Sequence, residues 1–390
     1  DRDEKEQHQL YLLAAGRLGE ALPAPRVEGT VEYLAWSPDG RSILLCVAGP
    51  GADMADAHGS GTTATREEDV PGWMPRVDSG VAENQWRRLW LYDVAAGAVR
   101  PLSHPGLNVW EAAWAGPDRI AAIVSRAPGE EAWYAAPLAL IDVAGGQEEV
   151  VYESRRQLGF PAASPSGRKL AVVQALCSDR DLVAGDILLF ETPGNAPRAV
   201  DTGGIDVTYL AWRDERRLFF AGLRGLRTIY GEYDAETGRV TELWSTHESS
   251  GPYFPRATPM GEGAFAVVLQ SYQRFPEVIV VRDGAPRTVA RLAHDGSDYA
   301  IRVGGTLEEV TWTAPDGLEI EGLLGLPAGP GPHPLVVHVH GGPVWAYRNT
   351  WWMYEGISRL LVSRGYAVLH PNPRGSGGRG QAFAEMVYGD

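Results

Sequence analysis

The chain has 390 residues, 44% of them hydrophobic and 22% charged, a size beyond one ordinary core and a balance that excludes both a disordered chain and a membrane-spanning bundle. Its 50 Asp+Glu outweigh 35 Lys+Arg for a formal net charge of −15, which argues against nucleic acid and against anionic membrane surfaces as partners. No apolar run approaches the roughly 18 residues of a membrane span, and the only cysteines, Cys46 and Cys177, sit in apolar contexts that read as buried free thiols of a reducing, cytoplasmic compartment. The sequence opens on Asp1-Arg2-Asp3 rather than Met, which leaves room upstream for a targeting segment.

Taken in chain order, the first 300 residues carry a repeat. An aromatic residue, small residues, Trp or Ala and then a Pro/Gly turn occur as Tyr33-Leu-Ala-Trp36-Ser-Pro-Asp-Gly40. The pattern returns at Glu111-Ala-Ala-Trp114, Phe160-Pro-Ala-Ala163, Tyr209-Leu-Ala-Trp212 and Phe254-Pro-Arg-Ala257. Trp114, Ala163, Trp212 and Ala257 are separated by 49, 49 and 45 residues, close to the length of one four-stranded propeller blade. The gap from Trp36 to Trp114 is 78, so that repeat carries an insertion, roughly residues 50–85. There Trp73 and Met74 favour a loop that docks on a cleft rim, with a mobile surface excursion as the equal alternative. A second hairpin alternates with the first: a strand ending in Asp or Glu, a Gly-containing turn and a return strand, at Leu89–Asp93, Ala139–Asp142, Ile187–Glu191, Gly231–Asp234 and Val278–Asp283. With Gln9–Leu13 this makes six outer hairpins against five inner ones. The expectation is a β-propeller of about seven blades whose N-terminal part is incomplete, occupying residues 1–305, with a β-sandwich of accidental periodicity as the bland alternative.

From residue 306 the spacing changes. Glu309–Thr313 and Leu318–Leu326 predict a hairpin of longer strands, and Leu335-Val-Val-His-Val339 predicts a strand buried inside an α/β sheet. Apolar positions Trp352, Ile357, Leu360 and Leu361 predict a helix over Trp351–Arg364, capped by Gly365. Tyr366–Leu369 is the next strand. Strand, helix, strand is one unit of a parallel sheet, so residues 306–390 read as the N-terminal portion of an α/β-hydrolase domain. Between the strand and the helix stands His340-Gly341-Gly342-Pro343, whose glycines bend the backbone and leave amides suited to an oxyanion. No serine meets Gly-x-Ser-x-Gly, and no histidine spacing suggests a metal. His338 and His340, two apart on one strand, read as hydrogen-bonded groups rather than ligands.

His340-Gly-Gly-Pro343, the aromatic stretch after it, Arg364-Gly-Tyr-Ala-Val368 and Asn372-Pro-Arg-Gly-Ser376 with Gly380 and Phe383 resemble the prolyl oligopeptidase family, in its acylaminoacyl-peptidase and dipeptidyl-aminopeptidase branch. The stretch Pro71–Arg88, with Trp73, Trp86, Arg87 and Arg88, is similar to the first inserted blade of such enzymes. The resemblance implies a propeller capping an α/β-hydrolase, and a serine peptidase releasing short or N-acylated peptides. It implies that Gly342 offers its backbone amide to the oxyanion, and that Gly341 and Pro343 shape the turn. His340 stands where the prolyl-specific branch has a tyrosine, and reads as a structural group beneath the loop; Arg374 reads as a loop-fixing donor. The family's nucleophile, acid and base follow a segment like Glu385–Asp390, so the chain as given is expected to hold no triad and to be inactive alone. No cofactor is implied. The expected partner is a peptide substrate, and a homo-oligomer is left open. Two other readings stand beside this one: a propeller-based binding scaffold with a residual hydrolase segment, and an esterase or amidase on the same fold. Glu67, Glu68 and Glu83 in the insertion are candidates for binding a free α-amino group, against a reading as solvated surface charges.

Overall fold

The computed structural model describes residues 7–16, 19–49, 52, 54–56, 59–61, 86–177, 179–180, 182–191, 195–251, 253–261, 263–353 and 356–388. Turn chemistry sets where its strands stop. At Ser37-Pro-Asp-Gly40 the Ser37 hydroxyl donates to Asp39 Oδ1 (2.7 Å), the same oxygen takes the Arg41 amide (3.0 Å), and the Gly40 amide closes on Ser37 O (2.9 Å). The strand-ending aspartates serve the other hairpin in the same way. Asp93, Asp142 and Asp234 accept the amides of Ala96, Gly145 and Thr237 on their side chains. Gly97, Gly146 and Gly238, each four residues on, then bond back to the aspartate carbonyl. All three glycines have positive φ, a conformation that penalises any residue with a Cβ.

Between these turns lie consecutive antiparallel sheets that run in chain order. The first comprises Thr30–Trp36, Ser42–Ala48, Arg87–Asp93 and Ala98–Pro101; the second Asn108–Trp114, Arg119–Ser125, Leu138–Asp142 and Glu148–Tyr152. The third holds Gln157–Ala163, Leu170–Ala175, Asp186–Phe190 and Arg198–Val200; the fourth Asp206–Trp212, Arg217–Arg224, Arg227–Asp234 and Val240–Thr246. Trp36, Trp114, Ala163 and Trp212 each close the first strand of their sheet, so the repeat read from sequence is the blade of a β-propeller. Ala257 behaves differently. In the fifth sheet the first position is divided between Ser249–Ser250 and Thr258–Pro259, both paired with Phe265–Ser271, ahead of Arg274–Arg282 and Ala285–Arg291. Pro255 and Pro259 have no amide to donate to a ladder, which keeps that strand short. Near the N-terminus Tyr11–Leu12 pairs with Leu22–Pro23 alone, and in the insertion Met54–Asp56 pairs with Gly59–Gly61. Trp73, Met74, Glu67, Glu68 and Glu83 lie outside the described residues.

Packing divides the chain into two units, Asp1–Val172 with Leu189–Arg198, and Val173–Leu188 with Ala199–Asp390. In the first unit the strand Ser42–Ala48 is buried on both faces: Ile43, Leu45 and Val47 pack with Leu10, Val27 and Tyr92, while Leu44 and Cys46 pack with Leu89, Leu107, Val109 and Ile120. Alternate residues of a strand face opposite ways, so one apolar run serves two layers. Cys46 and Cys177 are both buried and form no disulfide among the described residues. In the second unit Phe219, Tyr230 and Phe265 centre an aromatic cluster, with Tyr230 and Phe265 rings 4.7 Å apart and Phe219 and Phe265 5.3 Å apart.

The helix Ser297–Val303 follows the last blade, and then Thr306–Thr313 pairs with Glu319–Leu326. The sheet continues through Ala367–Asn372 to Leu335–Val337, the last pair being parallel. This is the opening of an α/β-hydrolase sheet, with two departures from the sequence reading. Leu335–Val337 is an edge strand, with Leu335 and Val337 each 54% exposed, because Ala367–Asn372 is its one ladder partner among the described residues. The helix is also shorter than expected, Ile357–Ser363. Gly356 takes φ +79 as its N-cap, and Trp351–Met353 forms a turn that buries Trp351 and Met353 instead of a helical stretch. Its inner face is polar: Ser358 and Arg359 are buried with Val362, while Ile357 and Leu360 are exposed.

Candidate functional site

The site begins where the parallel strand ends. The His338 amide donates to Leu369 O (2.8 Å), extending the ladder one residue, and the chain then turns outward through His340-Gly341-Gly342-Pro343. Gly342 has φ +129 and is exposed, as is Gly341. Among the described residues no group accepts the Gly342 amide. An unspent amide on a bend at the carboxyl end of a parallel strand suits an anionic oxygen.

His340 holds this bend from below. Its Nδ1–H donates to Gly341 O (2.8 Å), which leaves Nε2 to accept the Ser376 hydroxyl (2.9 Å). Burial pushes the ring's pKa below the ordinary histidine value and so favours the neutral form, partly offset by the bond to Gly341 O. Trp345 and Tyr347 meet the ring edge-on at 5.4 and 5.2 Å. The Tyr347 amide donates to Asn372 Oδ1 (2.7 Å) and Asn372 Nδ2 donates back to Tyr347 O (3.1 Å), so the segment after the bend is clipped to the end of the neighbouring strand.

Asn372 starts a second loop, Pro373–Gly380, that buttresses the first. The Gly377 amide donates to Trp345 O (2.9 Å), and a Cβ added at Gly375, φ +93, would meet Val387 Cβ at 3.0 Å. Arg374 pairs with Asp316 in the turn between the two long strands; the Leu318 amide and then Arg374 lower the Asp316 carboxyl pKa. On its far side the loop is bound by blade residues of the same unit. Gly378 and Gly380 donate their amides to one oxygen of Asp206 (2.7 and 2.9 Å), and the Gly225 amide donates to Gly378 O (2.6 Å). Gln381 takes the Leu176 amide (2.7 Å) and donates to Ala184 O (2.9 Å). Gly378 has φ +97, and a Cβ there would stand 3.0 Å from Gly225 O. Burial raises the Asp206 carboxyl above its usual range, and the Gly380 and Gly378 amides pull it back.

Of the residues singled out in sequence, His340, Gly341, Gly342 and Pro343 form the bend and Arg374 lies on the loop behind it. Arg87 and Arg88 are elsewhere. Buried Arg87 bonds Glu32 through Nε (3.1 Å), and Arg88 donates to Ser103 O (2.5 Å), both within the first blade unit. Sequence reasoning missed Asp206, Gln381 and His370, and it placed Ser376 in the motif without its bond to His340. His370 is fully buried; Ser358 Oγ donates to Met353 O (3.1 Å) and so accepts from His370 Nε2 (2.7 Å), leaving Nδ1 as an acceptor without a hydrogen-bond partner among the described residues. Burial, and then the nearby His338, hold His370 down to about 4. A signal for Asp206 did exist. The equivalent first positions of the other blade strands are Thr30, Asn108 and Gln157, so Asp206 puts an ionisable group where the repeat keeps a neutral one.

The model of the prolyl oligopeptidase family matches residues 352–390, which include the second loop. The peptidase YuxL of Bacillus subtilis (strain 168) is 41% identical over 86 residues, covering 21% of this chain and 13% of that protein. Dipeptidyl aminopeptidase BIII of Pseudoxanthomonas mexicana is 29% identical over 269 residues, 65% of this chain and 31% of its own. The acylaminoacyl peptidase of Pyrococcus horikoshii superposes with a TM-score of 0.65 at 18% identity, over 94% of this chain and 55% of that one. A puromycin-hydrolyzing peptidase of Mycobacterium tuberculosis superposes with a TM-score of 0.67, also at 18%, over 98% and 57%. The chain thus spans well under two thirds of the proteins it matches, and the two structures establish the fold, a propeller joined to an α/β-hydrolase. With the family match in the loop behind the glycine bend and peptidase relatives over part of its length, this chain is similar to proteins of the prolyl oligopeptidase family.

Proposed function

We propose that this chain is the substrate-filtering propeller and the oxyanion-bearing first part of the catalytic domain of a serine peptidase, one that releases short or N-acylated peptides from the N-terminal end of its substrates. The domains divide at 305/306, where blade spacing ends and the long hairpin begins. Gly342 donates its amide to the oxyanion of the tetrahedral intermediate. Gly341 and Pro343 set the bend, His340 braces it through Ser376, and Arg374 fixes the loop behind it through Asp316. The exposed Gly342 amide carries this reading, because a donor already in place loses no reorganisation energy as charge develops on the substrate oxygen; one such donor is worth about 3–4 kcal/mol in a transition state. The names of the relatives support an N-terminal peptidase. Cys46 and Cys177, buried and in no disulfide among the described residues, support a reducing, cytoplasmic setting.

The test is an assay of the intact gene product on aminoacyl, dipeptidyl and N-acyl-aminoacyl chromogenic amides beside matched esters. Cleavage of at least one amide class is the expected result. Ester cleavage with all three amides untouched would overturn the peptidase assignment in favour of an esterase on the same fold.

A further inference from the structure

The bend that carries Gly342 is braced through a series of contacts that ends on a propeller strand. His340 takes the Ser376 hydroxyl and Trp345 O, just past the bend, takes the Gly377 amide, so two consecutive loop residues are bonded to the bend and the segment that leaves it. The next loop residues are held by Asp206. One carboxylate oxygen collects the Gly378 and Gly380 amides, in a place where Asp206 is 1% exposed and water does not compete. Amide hydrogen bonds to a carboxylate are about twice as strong as neutral ones, and two on one oxygen fix the positions of both glycines. Those glycines have φ of +97 and +83 and sit in a run, Gly375-Ser-Gly-Gly378-Arg-Gly380, with little side-chain bulk to hold a shape of its own. Such a loop keeps one conformation only when its surroundings impose it.

We propose that Asp206, a residue of the propeller, is a positioning residue for the oxyanion bend: it holds the Gly375–Gly380 loop in register and, through Ser376 and Gly377, sets the orientation of His340 and of the Gly342 amide. The inference rests on the peptidase reading for its catalytic consequence, although the mechanical link does not depend on it. Asp206 touches no reacting atom. Its effect is on the geometry of donors, so it should appear in kcat rather than in KM.

The experiment uses the intact protein and two variants, Asp206→Ala, which removes the acceptor, and Asp206→Asn, which keeps one oxygen able to receive both amides. Three quantities are read: kcat and KM on the best amide substrate, hydrogen exchange at Gly378 and Gly380, and the imidazole NMR signals of His340 across a pH titration. Asp206→Ala is expected to lower kcat about 10- to 100-fold with KM within about twofold, to speed exchange at both glycines at least tenfold, and to shift the His340 signals. Asp206→Asn should recover most of kcat and of the protection. Unchanged His340 signals in Asp206→Ala, or fast glycine exchange with kcat intact, would overturn the proposal and leave Asp206 a domain fastener. Should the unmutated protein cleave no substrate, the peptidase reading falls by itself, and the His340 signals still decide whether Asp206 sets the bend.

Discussion

The blades and the hydrolase segment are held together by different chemistry. In the blades, cohesion comes from stacked apolar faces such as Leu44, Cys46, Leu89 and Val109, and each contact is one of many of its kind. In the segment after Thr306 single polar side chains reach far along the sequence: Asn349 to the Tyr272 amide, Arg348 to Ser250 O and Tyr253 O, and Arg359 to Tyr272 O, Ala300 O and Trp351 O. Arg348 is buried with no carboxylate paired to it among the described residues, and burial holds its guanidinium down to about 10. The difference teaches that the repeat is tolerant because its contacts are redundant, whereas the segment is positioned by a few donors that nothing duplicates.

The largest effect expected from this contrast is at Arg359. The guanidinium lies over the Tyr272 and Trp351 rings, 4.1 and 4.4 Å from their centroids, while donating to three carbonyls. Arg359→Met keeps most of the bulk and strands those acceptors, for an expected loss of about 3–5 kcal/mol. Ile279→Leu in the blade core is the control, a volume-conserving apolar exchange that should cost under about 1.5 kcal/mol. Equilibrium urea unfolding of both variants measures the two losses. Equal losses would erase the distinction between redundant and unduplicated contacts.

Acid should sharpen the same contrast, because His370 belongs to the segment and the blades contain no comparable buried histidine among the described residues. A histidine has an unfolded pKa of about 6.5, and His370 is held to about 4 in the fold. The folded state therefore binds fewer protons than the unfolded state between those values. Its contribution is complete above pH 6.5 and is lost as pH falls toward 4, by about 3 kcal/mol in all. His340, also lowered by burial, adds a loss of the same sign. The measurement is unfolding free energy from pH 7.5 to 4 for the unmutated protein and for His370→Gln. The variant should show the shallower decline, and parallel curves would remove His370 from the account.

These two cases also show what could be read in advance. The blade strands were legible because their information is local: a Pro/Gly turn, an Asp-to-Gly turn and an apolar run recur at nearly constant spacing, and each fixes its own hairpin. The bend at His340–Pro343 was legible for the same reason. The helix was legible but its start and inner face were not, since that face is chosen by Ser358 and Arg359, whose partners Met353 O, His370, Tyr272 O and Ala300 O lie outside any helical period. The latch was not either, because Asp206 and Gly378 are 172 residues apart, and no window along the chain joins them.

The smallest predicted effect tests whether the blades are as interchangeable as their spacing suggests. Trp36, Trp114 and Trp212 occupy one repeat position and meet three different fates. Trp36 is 53% exposed, Trp114 Nε1 donates to Ala35 O of the preceding blade (3.1 Å), and the Trp212 indole N–H is buried with no acceptor among the described residues. A made hydrogen bond contributes about 1 kcal/mol, and a buried donor left unmade costs about 1–3 kcal/mol. Trp114→Phe should therefore destabilise by about 1 kcal/mol beyond the loss of ring area. Trp212→Phe loses the same ring area and discards an unsatisfied donor, so it should be neutral or slightly stabilising. Unfolding midpoints of the pair, measured side by side, give the difference directly, since the change in side chain is identical. If Trp212→Phe proves the more damaging, the indole N–H has an acceptor after all, and the three repeat positions are closer in energy than their surroundings imply.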